Sequence, residues 1–227
     1  MLKNITYFNC KGKNVQQCKD TLYFRENGED GFYSLADGIN SGEKSHIGAR
    51  AVQKALADFW EQYPDYFFTA SNSEIRASLI EIIKEVIYNL TKGQERDDDY
   101  ASTLLVVCIS RKHDQYKWFH IGDGMIVKEL KGGLLEIESH PQNGITNQFT
   151  FTTTSENLER YIRMDGNTLQ DVKSFLLFTD GAMASFYRER KLTENGEEFL
   201  KKGTGVYYRI LQQLEPSDDY SMLDIRL

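Results

Sequence analysis

The sequence predicts an α+β layered sandwich. Nine or ten short β-rich segments are spread along the chain. Two long amphipathic helices stand side by side after the first hairpin, an order that a regular βαβ alternation does not produce. The composition is that of a globular chain: 227 residues, 40% hydrophobic and 27% charged. No composition break marks a boundary, so one domain is expected over residues 1–227.

The elements follow in order. Residues 3–8 are β-rich, and Thr21 to Arg25 and Phe32 to Ala36 form a hairpin around a segment full of turn residues. Between Ser45 and Tyr63 the period changes: Val52, Leu56, Phe59 and Trp60 fall on one helical face. Ile75, Leu79, Ile83, Val86 and Leu90 mark a second helix, opened by the capping-box pattern Ser71-Asn72-Ser73-Glu74. Strands return over 102–109, 116–121, 125–130, 134–137 and 148–152, and again over 174–179 and 221–226. Helical stretches are expected near 155–162, 184–202 and 204–214, and the acidic run Asp97-Asp98-Asp99 as a solvated loop.

Composition excludes several classes. The longest apolar run, Leu104 to Ile109, is far below the ~18 residues of a membrane span. Met1 to Ile5 is too short and polar for a secretory core, which points to a soluble, cytoplasmic protein. A net charge of −7 argues against a nucleic-acid or anionic-membrane partner, since either selects a basic surface. Three cysteines without CxxC spacing read as free thiols, and the four histidines show no zinc spacing. His120 reads as a packing residue of its strand.

Five aspartates precede glycine: Asp30, Asp37, Asp123, Asp165 and Asp180. Asp30 and Asp165 sit in polar surroundings and read as turns. The other three each close an apolar strand, so rigid backbone holds a carboxylate at the rim of a sheet. Asp20 and Asp218, each just before a strand, add two more strand-edge carboxylates. Clustered carboxylates repel one another unless cations lie among them, and all-oxygen donors select hard ions such as Mg²⁺ or Mn²⁺.

The segments FYSLADGINSGEKSHIGARAV, ASTLLVV, WFHIGDGMIV, FLLFTDGAMASF and DDYSMLDIRL, with Asn147-Gln148-Phe149-Thr150 between the third and fourth, occur in this order. Over about residues 15–227 the chain resembles the protein phosphatase 2C (PPM) family, most closely its compact bacterial members. The resemblance implies a central two-sheet antiparallel β-sandwich flanked by helices, in α-β-β-α layers, with a metal centre at one end. It also implies serine/threonine phosphatase activity with two Mn²⁺ or Mg²⁺ ions and a weaker third. By motif position Asp37 bridges the two ions, the Gly38 carbonyl ligates one, Asp180 and Asp218 hold one, Asp20 orients waters, and Asp123 serves the third. Asp219 stands beside a ligand and is not counted as one. The implied partner is a phosphorylated protein substrate, paired with a serine/threonine kinase.

Two departures accompany the resemblance. Val15 stands where the family has an arginine that clamps the substrate phosphate, and Ile39 where eukaryotic members have histidine. An alkyl group does not replace bidentate guanidinium recognition. Lys13 and Lys19 are the candidate phosphate ligands, with Lys44 and Arg50 also near in sequence. Three alternatives remain open at this level: a catalytically weak phosphatase-fold regulatory or binding module, a two-metal nuclease with the same carboxylates, and a structural reading in which the Asp-Gly pairs are turns only.

Overall fold

Side-chain alternation along the strands builds the molecule outward from two β-sheets. The structure is a computed structural model describing residues 4–142, 150–183, 186–188, 191–202, 209, 213 and 215–227. The chain opens with β1 (Asn4–Cys10) and a hairpin, β2 (Thr21–Asn27) and β3 (Asp30–Ala36). Three helices follow, α1 (Ser45–Gln62), α2 (Pro64–Thr69) and α3 (Asn72–Thr91). Then come β4 (Leu104–Ser110), β5 (Gln115–Ile121), β6 (Met125–Leu130), β7 (Leu135–Ser139), β8 (Arg163–Thr168) and β9 (Val172–Phe178). A short helix α4 (Asp180–Met183), a small ribbon of β10 (Tyr187–Arg188) and β11 (Lys191–Leu192), α5 (Glu194–Lys202) and β12 (Tyr220–Arg226) complete the order.

The strands form two five-stranded sheets, ordered β1-β12-β9-β6-β7 and β2-β3-β4-β5-β8, with every pairing antiparallel. Between them Tyr33, Leu35, Leu105 and Val107 meet Ile126, Phe175, Leu177 and Leu223. The opposite face of the second sheet, including Phe32, Val106, Cys108 and Phe119, packs under Trp60 and Leu56 of α1 and Leu79 and Ile83 of α3. On the outer face of the first sheet Val127, Leu176, Phe178 and Met222 pack with Ala182 and Met183 of α4. β4 is therefore buried on both faces, and this makes its sequence an unbroken apolar run rather than an alternation. Each large side chain buried this way contributes about 1.5–3 kcal/mol.

Several expectations are corrected by tertiary context. The first hairpin is longer than its apolar core indicated, because Gly28 takes a positive φ and closes a tight turn between Asn27 and Asp30. Asp30 is thus a strand residue, not a turn: its carboxylate accepts the Ser110 hydroxyl and the Arg111 N–H. Asp165 likewise lies within β8, opposite Trp118, and accepts the Gly166 N–H. The acidic run forms a 3₁₀ turn, Asp97–Tyr100.

Around 155–162 only Leu158–Arg160 is helical, and β8 follows where no strand was expected. The expected helix over 184–202 is instead a ribbon and the shorter α5. Of the expected strand over 148–152, residues 148–149 lie outside the described residues and only Thr150 makes a β-bridge. Most of the expected helix over 204–214 also lies outside them. The capping box at Ser71 and Glu74 forms as the sequence indicates: each side chain accepts the other's backbone N–H.

Candidate active site

Strand ends from both sheets deliver the acidic residues to one end of the sandwich. β3 stops at Ala36 and presents Asp37, whose backbone is pinned twice by Thr103: the Asp37 N–H donates to the Thr103 hydroxyl at 2.9 Å, and the Thr103 N–H to the Asp37 carbonyl at 2.8 Å. β5 ends at Ile121, and Gly122 adopts φ +107 so that Asp123 turns back into the cleft; a Cβ there would strike Thr103. β9 hands over to α4 through Asp180, which accepts the Gly181 N–H at 2.6 Å. Asp218 enters from the segment before β12, with its carboxylate held by the Asn40 side-chain amide at 3.1 Å.

Asp37, Asp123, Asp180 and Asp218 line one cleft of about 790 Å³. Asp20 stands behind them, buried, with its Oδ2 accepting the Thr179 hydroxyl at 3.0 Å and its carboxylate within hydrogen-bonding reach of Asp37. Gly38 makes a β-bridge to Ser102 and donates its N–H to the Lys19 carbonyl, so the residue after Asp37 is tied to the residue before Asp20. Thr150 donates a short hydrogen bond to Asp123.

Crowding governs the charge state. Burial pushes the Asp20 carboxyl up to about 7. Burial, then the charges of Asp123 and Asp218, push Asp180 to about 7. Asp37 is raised well above the ordinary carboxylate range by burial and then by Asp20, Asp180 and Asp123. Burial raises Asp123 as well. The Oδ1 atoms of Asp20 and Asp123 are buried without a hydrogen-bond partner. Buried, mutually repelling carboxylates with unused oxygens fit hard divalent cations, and the donor set is all oxygen. Among the described residues no three acidic, histidine or cysteine side chains close around one point as a complete cage. An ion here would keep much of its water, as Mg²⁺ commonly does.

The phosphate candidates fare differently. Lys13 pairs with Glu215 at 2.8 Å in a separate depression with Lys11 and Pro216. Lys19 is spent on structure: its Nζ donates to the carbonyls of Asn40 and Gly42 at 2.8 and 2.9 Å, and more weakly to Ile39. Lys44 pairs with Glu95. His120 is fully buried in β5, hydrogen-bonded to Ser139 and Arg163, and burial then Arg163 push its pKa well down, so it stays neutral as a packing residue.

Sequence reasoning missed Thr103, Thr179 and Asn40 as supports, although the last two lie beside Asp-Gly motifs. It also missed Arg96, which lines the cleft. Asp219 is a support as well, accepting the N–H groups of Gly12 and Lys19.

The family profile and the fold together define a class of metal-dependent phosphatase. The family profile described as protein phosphatase 2C matches residues 12–215. The serine/threonine phosphatase of S. agalactiae superposes with a TM-score of 0.72 at 17% identity, covering 99% of each chain. Stp1 from Staphylococcus aureus, a serine/threonine phosphatase, gives 0.69 at 16% identity, covering 100% of this chain and 95% of its own. RsbX, solved in complex with magnesium, gives 0.62 at 14%, covering 98% of this chain and 94% of its own. No curated protein sequence matches. The chain belongs to the protein phosphatase 2C family of metal-dependent serine/threonine phosphatases.

Proposed function

We propose that this chain dephosphorylates phosphoserine and phosphothreonine in proteins at the Asp37 end of the sandwich, using two Mn²⁺ or Mg²⁺ ions, with a weaker third beside Asp123. The carrying observation is the group of buried (Asp20, Asp123) and half-buried (Asp37, Asp180) carboxylates whose pKa values are raised by desolvation and by one another, with the Oδ1 atoms of Asp20 and Asp123 unpartnered.

In this reading Asp37 and the Gly38 carbonyl would help to hold the two ions. Asp180 and Asp218 would hold one ion, and Asp20 would orient water from behind. Bound there, the ions would supply Lewis acidity, lowering the pKa of a water and neutralising charge on the phosphoryl oxygens. The chain's own residues set the geometry. Thr103 fixes Asp37, Thr179 fixes Asp20, Asn40 fixes Asp218 and Thr150 fixes Asp123.

A phosphoprotein substrate requires a kinase to make it, so a serine/threonine kinase is the proposed partner. Among the described residues no helix is long and apolar enough to cross a membrane. Three free cysteines suit a reducing, cytoplasmic setting. A core shared between both sheets supports a single domain across the chain.

The test is hydrolysis of a phosphothreonine peptide and of p-nitrophenyl phosphate, with an oligonucleotide as control. Activity on the phosphoesters is expected to vanish in EDTA and return with Mn²⁺ or Mg²⁺. Full activity in chelator, or cleavage of the oligonucleotide alone, overturns the reading.

A further inference from the structure

The walls of the cleft are acidic well beyond the carboxylate cluster, with Asp98, Asp99 and Glu156 on the lining. A phosphate ester entering it needs a positive protein group to offset that field. Among the described residues the lining has one cation, Arg96. Its backbone is fixed where α3 gives way to the acidic 3₁₀ turn, with the Arg96 carbonyl accepting the Asp99 N–H at 3.1 Å. Its side chain is 80% exposed and, among the described residues, touches an anion at one point, Nη2 to Asp98 at 3.6 Å. That distance is an ion pair without a hydrogen bond, so the guanidinium fork keeps its donors for a ligand. The nearby alternatives are committed elsewhere: Lys13 to Glu215, Lys19 to the 39–42 carbonyls, Lys44 to Glu95.

We propose that Arg96 is the phosphate-recognising residue of this cleft, binding the phosphoryl oxygens of the substrate from the connection between α3 and β4. The proposal rests on the phosphatase reading of the site. It makes phosphate recognition depend on a residue far in sequence from Val15, and it makes that recognition salt-sensitive, because the fork is exposed. Arg96 binds substrate and product phosphate alike, so its loss weakens binding more than turnover.

The experiment compares wild type, Arg96→Ala and Arg96→Lys under saturating Mn²⁺. It measures kcat and KM on a phosphothreonine peptide, the inhibition constant of inorganic phosphate, and the Mn²⁺ half-saturation. Arg96→Ala is expected to raise KM and the phosphate inhibition constant together by roughly tenfold to a hundredfold, the loss of one charge-assisted contact. In the same variant kcat should change by less than about threefold and the Mn²⁺ half-saturation should hold, because the residue touches no carboxylate of the cluster. Arg96→Lys should fall between, keeping the charge but losing the fork. If both constants stay within about twofold of wild type in Arg96→Ala, the assignment of Arg96 is overturned while the phosphatase reading stands. A wild type without any Mn²⁺-dependent hydrolysis overturns the reading of the site and the proposal with it.

Discussion

The carboxylate of Asp219 accepts the backbone N–H of Lys19 at 2.6 Å, joining two residues 200 positions apart in the chain. Its other oxygen accepts the N–H of Gly12 at 3.0 Å. One side chain before the last strand thus holds both ends of the segment that leads into Asp20. The next residue inward, Lys19, then fastens the loop after Gly38 through its ammonium group. Carboxylates from β2's entry, β3's exit and β12's entry are therefore tied into one scaffold, whichever ions they hold.

Asp219→Ala should destabilise the metal-free protein by about 2–4 kcal/mol, because two enclosed N–H donors lose their acceptor at roughly 1–3 kcal/mol each. Urea denaturation in EDTA measures this. A loss under about 0.5 kcal/mol, the range of ordinary surface substitutions, would mean that the segment holds without the clamp.

Lys19→Met should weaken Mn²⁺ binding by about tenfold or more, the usual size of losing a support behind a ligand. Calorimetric titration of Mn²⁺ reads it directly. Lys13→Met, which breaks only an exposed pair with Glu215, should leave the titration unchanged. Equal effects from the two would contradict the separate roles the structure gives them.

Metal-free stability should fall as pH rises. The folded-state pKa values of Asp20 and Asp180, about 7, lie above the ordinary 3.8, so the folded protein binds more protons than the unfolded chain across that window. Their contribution is present near pH 4 and lost as pH climbs through about 7. Saturating Mg²⁺ or Mn²⁺ should flatten the slope, because cations replace the protons. Thermal melts from pH 4.5 to 8, a range chosen to span the two pKa values, with and without metal would show it. A metal-free Tm that rises across this window would contradict the sign.

Asp37→Asn should reduce activity by well over ~100-fold at subsaturating metal, yet leave the metal-free protein as stable or more so, since it removes a half-buried, repelled carboxylate. Asp165→Asn, exposed on β8, should change neither. Parallel activity and melting curves on the two variants separate the cluster from an ordinary strand aspartate.

Local chemistry makes much of this fold legible along the chain. The helical faces of α1 and α3 and the Ser71 capping box depend on contacts within a few residues, and they form where the periodicity places them. The aspartates that close apolar strands also stand out, because a strand buried on both faces must end at the rim, where a carboxylate can reach solvent or a cation. The same logic misjudges Asp30 and Asp165. Polar neighbours signal exposure, and the polar first residue of β3 or an exposed edge strand such as β8 looks like a turn until its pairing partner is known.

What the sequence alone determined was the list of strand-end carboxylates, the order of most elements and the family resemblance, all encoded in neighbours along the chain. Tertiary structure decided which groups hold each candidate lysine, which hydroxyl stands behind which carboxylate, and which arginine reaches the cleft. Lys19 looks like a phosphate ligand from its place beside Asp20, but three carbonyls of a loop 20–23 residues away hold its ammonium group. Arg96 looks like one end of a solvated acidic run, but the packing of α1 and α3 on the second sheet brings it to the lip of the site. Periodicity carries no signal for such pairings, because they form only after the sheets have closed on a common core and left their polar ends together.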